Sequence, residues 1–177
     1  MWFLVVLLNS PFVDWVFRRG SVPFRGDFFS ANKQFIASLP IRIPSKSEAN
    51  SLEEIGRRLH ALASKVTDER EGFLDWLEDS LGAHVRRLPG ATSLARYEDF
   101  ELSQLLAILR RSAALFVQDP EARVFRERLA SEHGASRDRL LEQRSSLSKA
   151  ESEADEAVAD LYELSTTERA LIDRDYG

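Results

Sequence analysis

The sequence predicts a mainly α fold, with a short α+β N-terminal piece followed by a helical bundle or antiparallel coiled-coil extension. Three observations predict it. Beyond residue 50, apolar residues recur at spacings of three and four through most of the chain, the period of an amphipathic helix. Before residue 50 the pattern is interrupted by Gly20, Pro23, Gly26, Pro40 and Pro44, residues that punctuate turns and cap strands. Near the end, Leu147, Ala150, Ala154, Ala157, Leu161 and Leu164 alternate by three and four, a heptad-like seam that packs lengthwise on another helix.

The opening run Trp2-Phe3-Leu4-Val5-Val6-Leu7-Leu8 holds seven apolar residues before Asn9. A spanning helix needs about 20, and the run has no basic lead-in or small-residue cleavage site of a signal peptide. It is a core element, either covered by another chain or cut from something longer. From Pro11 to Arg19 the residues Phe12, Val13, Trp15, Val16 and Phe17 form a short helix or a bent strand, a choice that periodicity leaves open. Gly20 to Asp27 reads as a loop. Leu39-Pro40-Ile41-Arg42-Ile43-Pro44 alternates as a short extended edge segment, since each proline removes a ladder donor. Ser45 to Asn50 reads as a linker.

Ser51 and Glu54 have the spacing of a capping box. Leu52, Ile55, Leu59, Leu62, Ala63 and Val66 follow as an apolar stripe about 24 Å long. Phe73, Leu74, Trp76, Leu77 and Leu81 make a second helical face ending near Gly82. Ala83 to Asp99 is looser, and Leu102, Leu105, Leu106, Ile108 and Leu109 define a third helix. Asp119-Pro120 marks a fresh start, with aspartate as N-cap and proline in the first helical position. A short helix through Val124, Phe125 and Leu129 then leads to Gly134. The Ser51–Val66 helix is the expected antiparallel neighbour of the Leu147–Leu164 seam, and Ser165 with Glu168 caps a short final helix.

Composition limits the chemistry. The 177 residues are 44% hydrophobic and 30% charged, with no cysteine, as expected of an intracellular chain of one domain or one plus an appendage. Cysteine zinc sites and disulfides are excluded. His60, His84 and His133 are too scattered for a metal-ligand spacing, and each reads as a solvated surface residue. Glu151, Glu153, Asp155 and Glu156 read as a solvated helix face. No phosphate-binding glycine loop, zinc-protease motif or nucleophile elbow occurs.

The total charge of −5 hides an asymmetry. Residues 1–50 carry six basic and three acidic side chains, and the remainder carries 18 basic and 26 acidic. Such a contrast points to a part that faces a polyanion and an acidic scaffold. Within the basic part, Val22 to Phe35 mixes cations, amide side chains and aromatics, a set suited to gripping phosphates and reading base edges. A loop pinned by its own aromatics has the same composition.

Leu7-Leu8-Asn9-Ser10, Pro23-Phe24-Arg25-Gly26, Asn32-Lys33-Gln34-Phe35-Ile36 and Leu39-Pro40-Ile41, in that order, resemble the end of the TaqI-like C-terminal specificity domain. That domain belongs to adenine-specific DNA methyltransferases and fused restriction-modification enzymes. The sequence departs from the family pattern at Asp27, which stands at a second glycine position, and at Phe35, which replaces a tyrosine. Phe73-Leu74-Asp75-Trp76-Leu77-Glu78, Leu88-Pro89-Gly90-Ala91-Thr92-Ser93-Leu94 and Leu161-Tyr162-Glu163-Leu164 resemble the helical C-terminal extension of the larger members.

The resemblance implies a tail of a DNA target-recognition (specificity) domain over 1–46 and a helical C-terminal extension over 51–177. It implies double-stranded DNA and a separate methyltransferase catalytic chain as partners, no membrane, and a cytoplasmic location. The parent enzymes transfer a methyl group from S-adenosylmethionine to adenine, flipping the base out of the duplex. This sequence holds neither their cofactor-binding glycine motif nor their Asn-Pro-Pro-Tyr motif, so no cofactor and no catalytic residue is assigned to it, and catalysis by this chain alone is not expected. Arg18, Arg19, Arg25, Lys33 and Arg42 are the expected phosphate contacts, and Asn32 and Gln34 the expected base-edge contacts. The contrasting reading is a helical protein–protein interaction module with no DNA role, supported by the seam from Leu147 to Leu164.

Overall fold

Ser10 divides the apolar opening into two helices. Helix α1 spans Trp2–Leu8 and α2 spans Pro11–Gly20, with the Ser10 hydroxyl accepting from the Val13 N–H at 3.3 Å and donating to the Leu7 carbonyl at 2.7 Å. Pro11 occupies the first position of α2, where its missing N–H costs nothing. The computed structural model describes residues 1–24, 26 and 28–176, without the side chain of Tyr176. The remaining helices are α3 (Lys33–Ile36), α4 (Lys46–Leu81), α5 (Ala91–Leu94), α6 (Leu102–Arg110), α7 (Arg123–Leu161) and α8 (Thr166–Tyr176).

The fold is mainly helical, as the periodicity predicts. The expected α+β character of the N-terminal piece is not seen: among the described residues there is no strand, only an isolated antiparallel bridge between Pro23 and Phe29. Leu39 to Pro44 is irregular, with no ladder partner. Two prolines in six residues remove the donors a strand would offer a neighbour. For Pro11–Arg19 the open choice resolves to helix.

Two helices are longer than the sequence signals indicate. The linker at Ser45–Asn50 is the first turn of α4 and the residue before it. The box that starts this helix is Ser45 with Glu48, the Ser45 N–H donating to Glu48 at 2.7 Å and the Glu48 N–H to the Ser45 hydroxyl at 3.4 Å. Ser51 and Glu54 lie inside the helix, because the same spacing six residues earlier follows Pro44 and captures the start. Likewise, Asp119-Pro120 forms a turn ahead of α7, with the Asp119 carboxylate accepting from the Glu121 N–H at 2.9 Å, and the helix then runs through Gly134 without a break. The expected capping box at Ser165–Glu168 does open α8, and Glu101 with Gln104 forms another at the start of α6.

The chain forms two compact units, residues 1–61 with 147–177 and residues 62–146. In the first, Val6 and Leu7 of α1 meet Leu52 of α4 and Ala154, Val158 and Leu161 of α7, with Phe3, Ile55, Leu59 and Tyr162 packed around them. The early part of α4 and the late part of α7 run antiparallel here, Arg58 pairing with Glu153. The seam thus finds the partner expected of it. The N-terminal run is covered on one side by α4 and α7, leaving Val5 and Leu8 exposed. In the second unit, Phe73, Leu74, Leu77 and Leu81 of α4 form a core with Leu94, Tyr97, Leu105, Leu109, Phe125 and Leu129. Gly82 ends α4 with φ +66°, the Gly82 and Ala83 N–H groups both closing on the Glu78 carbonyl, a left-handed stop that glycine adopts without strain.

Candidate nucleic-acid interface

Arg18 and Arg19 occupy the last turn of α2, where cations complement the exposed carbonyls of the helix end. Arg18 pairs with Asp14 one turn back at 2.5 Å, and its guanidinium carbon lies 5.6 Å from the Phe29 ring centroid. Arg19 stacks on Trp15, 4.1 Å from the indole centroid, and its Nη2 lies 2.6 Å from Asp175 Oδ2. The Trp15 indole N–H donates to the same oxygen at 3.2 Å. These donors, the indole first and the guanidinium next, hold the Asp175 carboxyl below the usual carboxylate range.

After α2 the backbone folds back on itself. The Phe24 N–H donates to the Phe28 carbonyl at 2.7 Å, the Ser30 N–H to the Val22 carbonyl at 3.0 Å, and the Ser21 hydroxyl to the Ser30 carbonyl at 2.6 Å. Gly26, at φ +66°, lies at the tip. The two aromatics that flank the tip project outward: Phe24 is 66% and Phe28 75% exposed. Arg25, an expected phosphate contact, and Asp27, the departure from the family turn, lie outside the described residues.

Asn32, Lys33 and Gln34 open α3 and, with Ala37, line a shallow depression. All three are exposed, and their side chains make no hydrogen bond or ion pair with a described residue. Arg42 differs. Its guanidinium donates to the Leu161 carbonyl and to Glu163 at 3.0 Å, and its N–H to the Tyr162 hydroxyl at 3.1 Å, which in turn donates to the Pro40 carbonyl. Arg42 therefore staples its segment to the end of α7. The sequence-predicted residues divide accordingly: Arg18, Arg19 and Arg42 have internal acidic partners, whereas Asn32, Lys33 and Gln34 face outward together.

A second polar cluster, in the unit of residues 62–146, has no signal in the sequence beyond its charged residues. The Glu98 side chain is 5% exposed, and one of its oxygens accepts from Arg70 and Arg144. Glu69 accepts from Ser136 at 2.5 Å and from Arg139 at 2.8 and 2.9 Å, and Ser136 meets the Tyr97 hydroxyl at 2.5 Å. Burial pushes the Tyr97 phenol up to about 12. His133, expected at the surface, is 3% exposed, its Nε2 lying 3.2 Å from the Tyr97 carbonyl. The helix that carries it does not stop at Gly134, so position 133 falls on the inner face. Burial holds its imidazole below the ordinary histidine range. Ser136 is 1% exposed, out of reach of a substrate, so this cluster fastens α4 and α7 to Tyr97 and Glu98 within its unit.

A cleft of about 180 Å3 opens between α2, the end of α7 and α8, with Phe12, Asp155, Arg169 and Ile172 in its wall. Partial burial, with Glu151 and Asp173 nearby, raises the Asp155 carboxyl to about 6. Among the described residues no group of three His, Cys, Asp or Glu side chains is arranged to hold a metal ion, and no helix is long and apolar enough to cross a membrane. Comparison with protein-family models, with curated proteins and with solved structures finds no match to this chain.

Proposed function

We infer that this chain is a DNA-binding, target-recognition fragment of an adenine-specific DNA methyltransferase of a restriction-modification system, working in the cytoplasm beside a separate catalytic chain. The observation that carries this reading is the outward face of residues 22–43. No described residue in that stretch is buried, two phenylalanines stand at a hairpin tip, and Asn32, Lys33 and Gln34 lie free on the surface. Phe29 and Phe35 are half-buried, but a loop pinned by all its aromatics would bury Phe24 and Phe28 too. Amide side chains can form paired contacts with adenine, and a lysine can meet phosphate. On this reading residues 1–46 supply grip and orientation, the helical remainder supports them, and methyl transfer belongs to the partner that carries the Asn-Pro-Pro-Tyr motif.

The contrasting reading, a protein-interaction module, rests on the Leu147–Leu164 seam. Ala150, Ala154 and Leu161 of that seam are buried within the chain, so it offers little surface to a partner. A gel-shift titration on duplex DNA at low and moderate salt tests the DNA reading. Binding that weakens with salt is expected, with Lys33→Ala reducing the slope by about one unit for the lost phosphate contact. Absence of salt-dependent binding, alone or with a methyltransferase catalytic chain, would overturn it.

A further inference from the structure

Two donors of α2 converge on one oxygen of α8. Arg19, one turn on from Trp15, places its guanidinium over the indole ring, and the two aim the indole N–H and a guanidinium N–H at Asp175 Oδ2, at 3.2 and 2.6 Å. With Arg18 they enclose a small recess whose fourth wall is Asp175 itself. An indole N–H and a guanidinium meeting at a single point form a seat for an oxyanion, and charge-assisted bonds of this kind suit phosphate as well as carboxylate.

The carboxylate now in that seat is held by an element that can release it. Helix α8 is anchored by its Ser165–Glu168 box and by Ile172, which is 5% exposed. Beyond Ile172 the last turn, Asp173 to Asp175, is exposed. A terminal helical turn frays at little cost, so Asp175 can leave without disturbing the core. Arg18 ties the same spot to the hairpin, through its contact with Phe29, and the seat lies in the segment whose charge is positive.

We propose that the Trp15–Arg19 seat binds one phosphate of a nucleic-acid backbone, and that Asp175 fills it as an internal competitor until nucleic acid displaces it. This rests on the DNA-binding reading above. The competitor weakens non-specific binding, because each encounter must displace the carboxylate before the phosphate contact forms.

Fluorescence anisotropy with a short labelled duplex, at two salt concentrations, separates the possibilities. Asp175→Asn is expected to tighten binding about fivefold or more and to steepen the salt dependence by about one unit, and Arg19→Ala added to it should cancel both gains. Wild type and Asp175→Asn binding alike, with equal slopes, would overturn the competitor and leave the DNA reading standing. Failure of both to bind would overturn the DNA reading and this proposal with it. A measurement on the unaltered chain guards against a misfolded variant: the Trp15 indole N–H resonance, identified by its loss in Trp15→Phe, should move as duplex is added. An unmoved resonance, or an equal movement with inorganic phosphate at the same phosphate concentration, would overturn the assignment to a nucleic-acid backbone.

Discussion

A Cβ placed on Gly56 would lie 2.9 Å from the Trp2 Cβ and 3.0 Å from the Trp2 carbonyl oxygen. Helix α1 crosses α4 at this point, with the Trp2 and His60 rings 4.8 Å apart and tilted by 32°, and the Phe3 N–H donating to Glu53 at 3.1 Å. The close approach needs glycine for space rather than for its backbone angles. Gly56→Ala is therefore expected to lose about 1–3 kcal/mol through the forced shift of α1, despite the better helix propensity of alanine. Gly72, on the same helix, has nothing within 4 Å of its Cβ position. Gly72→Ala should stabilise by about 0.5–1 kcal/mol. Urea denaturation of the pair checks both signs, and two variants that shift the midpoint in the same direction would refute the packing argument.

Glu98 gathers two guanidiniums at a nearly buried carboxylate, one oxygen accepting from Arg70 and Arg144 while the other has no partner within the described structure. Glu98→Gln keeps the shape and removes the charge, leaving two cations around a neutral amide. Breaking a buried pair on one side costs about 3–5 kcal/mol; the two arginines here are only partly buried, so the low end is expected. Replacing Arg144 alone by Met should cost less, because Arg70 still neutralises the carboxylate. A double-mutant cycle between positions 98 and 144, read by chemical denaturation, would show a coupling; simple additivity would mean that the pair contributes nothing beyond its separate members.

The helices were legible where the apolar period is strong, and their ends were not. The box at Ser165–Glu168 was readable because nothing nearby competes with it. Ser51–Glu54 misled because Ser45–Glu48 has the same chemistry closer to Pro44, and sequence spacing alone cannot rank two valid caps. Gly134 misled because a glycine reads as a stop, although packing on both sides of it, at His133 and Ser136, holds the helix through. At the candidate interface, the exposed Asn32-Lys33-Gln34 run follows from composition. The partners of Arg19 and Arg42, at Asp175 and Glu163, lie more than a hundred residues away, a separation that no local pattern encodes.

His133 predicts a loss of stability in acid. Its folded-state pKa lies below the ordinary 6.5 because burial penalises the imidazolium. Below about 6.5 the unfolded chain takes up a proton that the folded chain resists, so the contribution present at neutral pH is lost as pH falls through the depressed value. His133→Gln removes this titration while keeping a side chain able to donate to the Tyr97 carbonyl. On acidification from neutral pH to about 5, stability measured by urea denaturation should rise in the variant relative to the unaltered chain; parallel curves would show that His133 is not the group responsible.

Asp155 titrates in the same range with the opposite sign. Its carboxyl is raised from 3.8 to about 6 by partial burial first, and then by Glu151 and Asp173. The folded chain binds this proton more tightly than the unfolded chain. The contribution is therefore complete below 3.8 and lost as pH rises through about 6, so that at neutral pH the ionised carboxylate is less favourable in the folded chain than in the unfolded one. Asp155→Asn should make the protein more stable at pH 7 and leave it nearly unchanged at the acid end. Because His133 and Asp155 oppose each other near pH 6, the unaltered chain should show a flatter profile than either single variant. The slopes distinguish the two groups: removing Asp155 exposes the acid loss due to His133, and removing His133 exposes the gain on acidification due to Asp155. If Asp155→Asn left the profile unchanged from pH 4 to 7, the cleft would hold its carboxylate without cost, and the flattening would need another source.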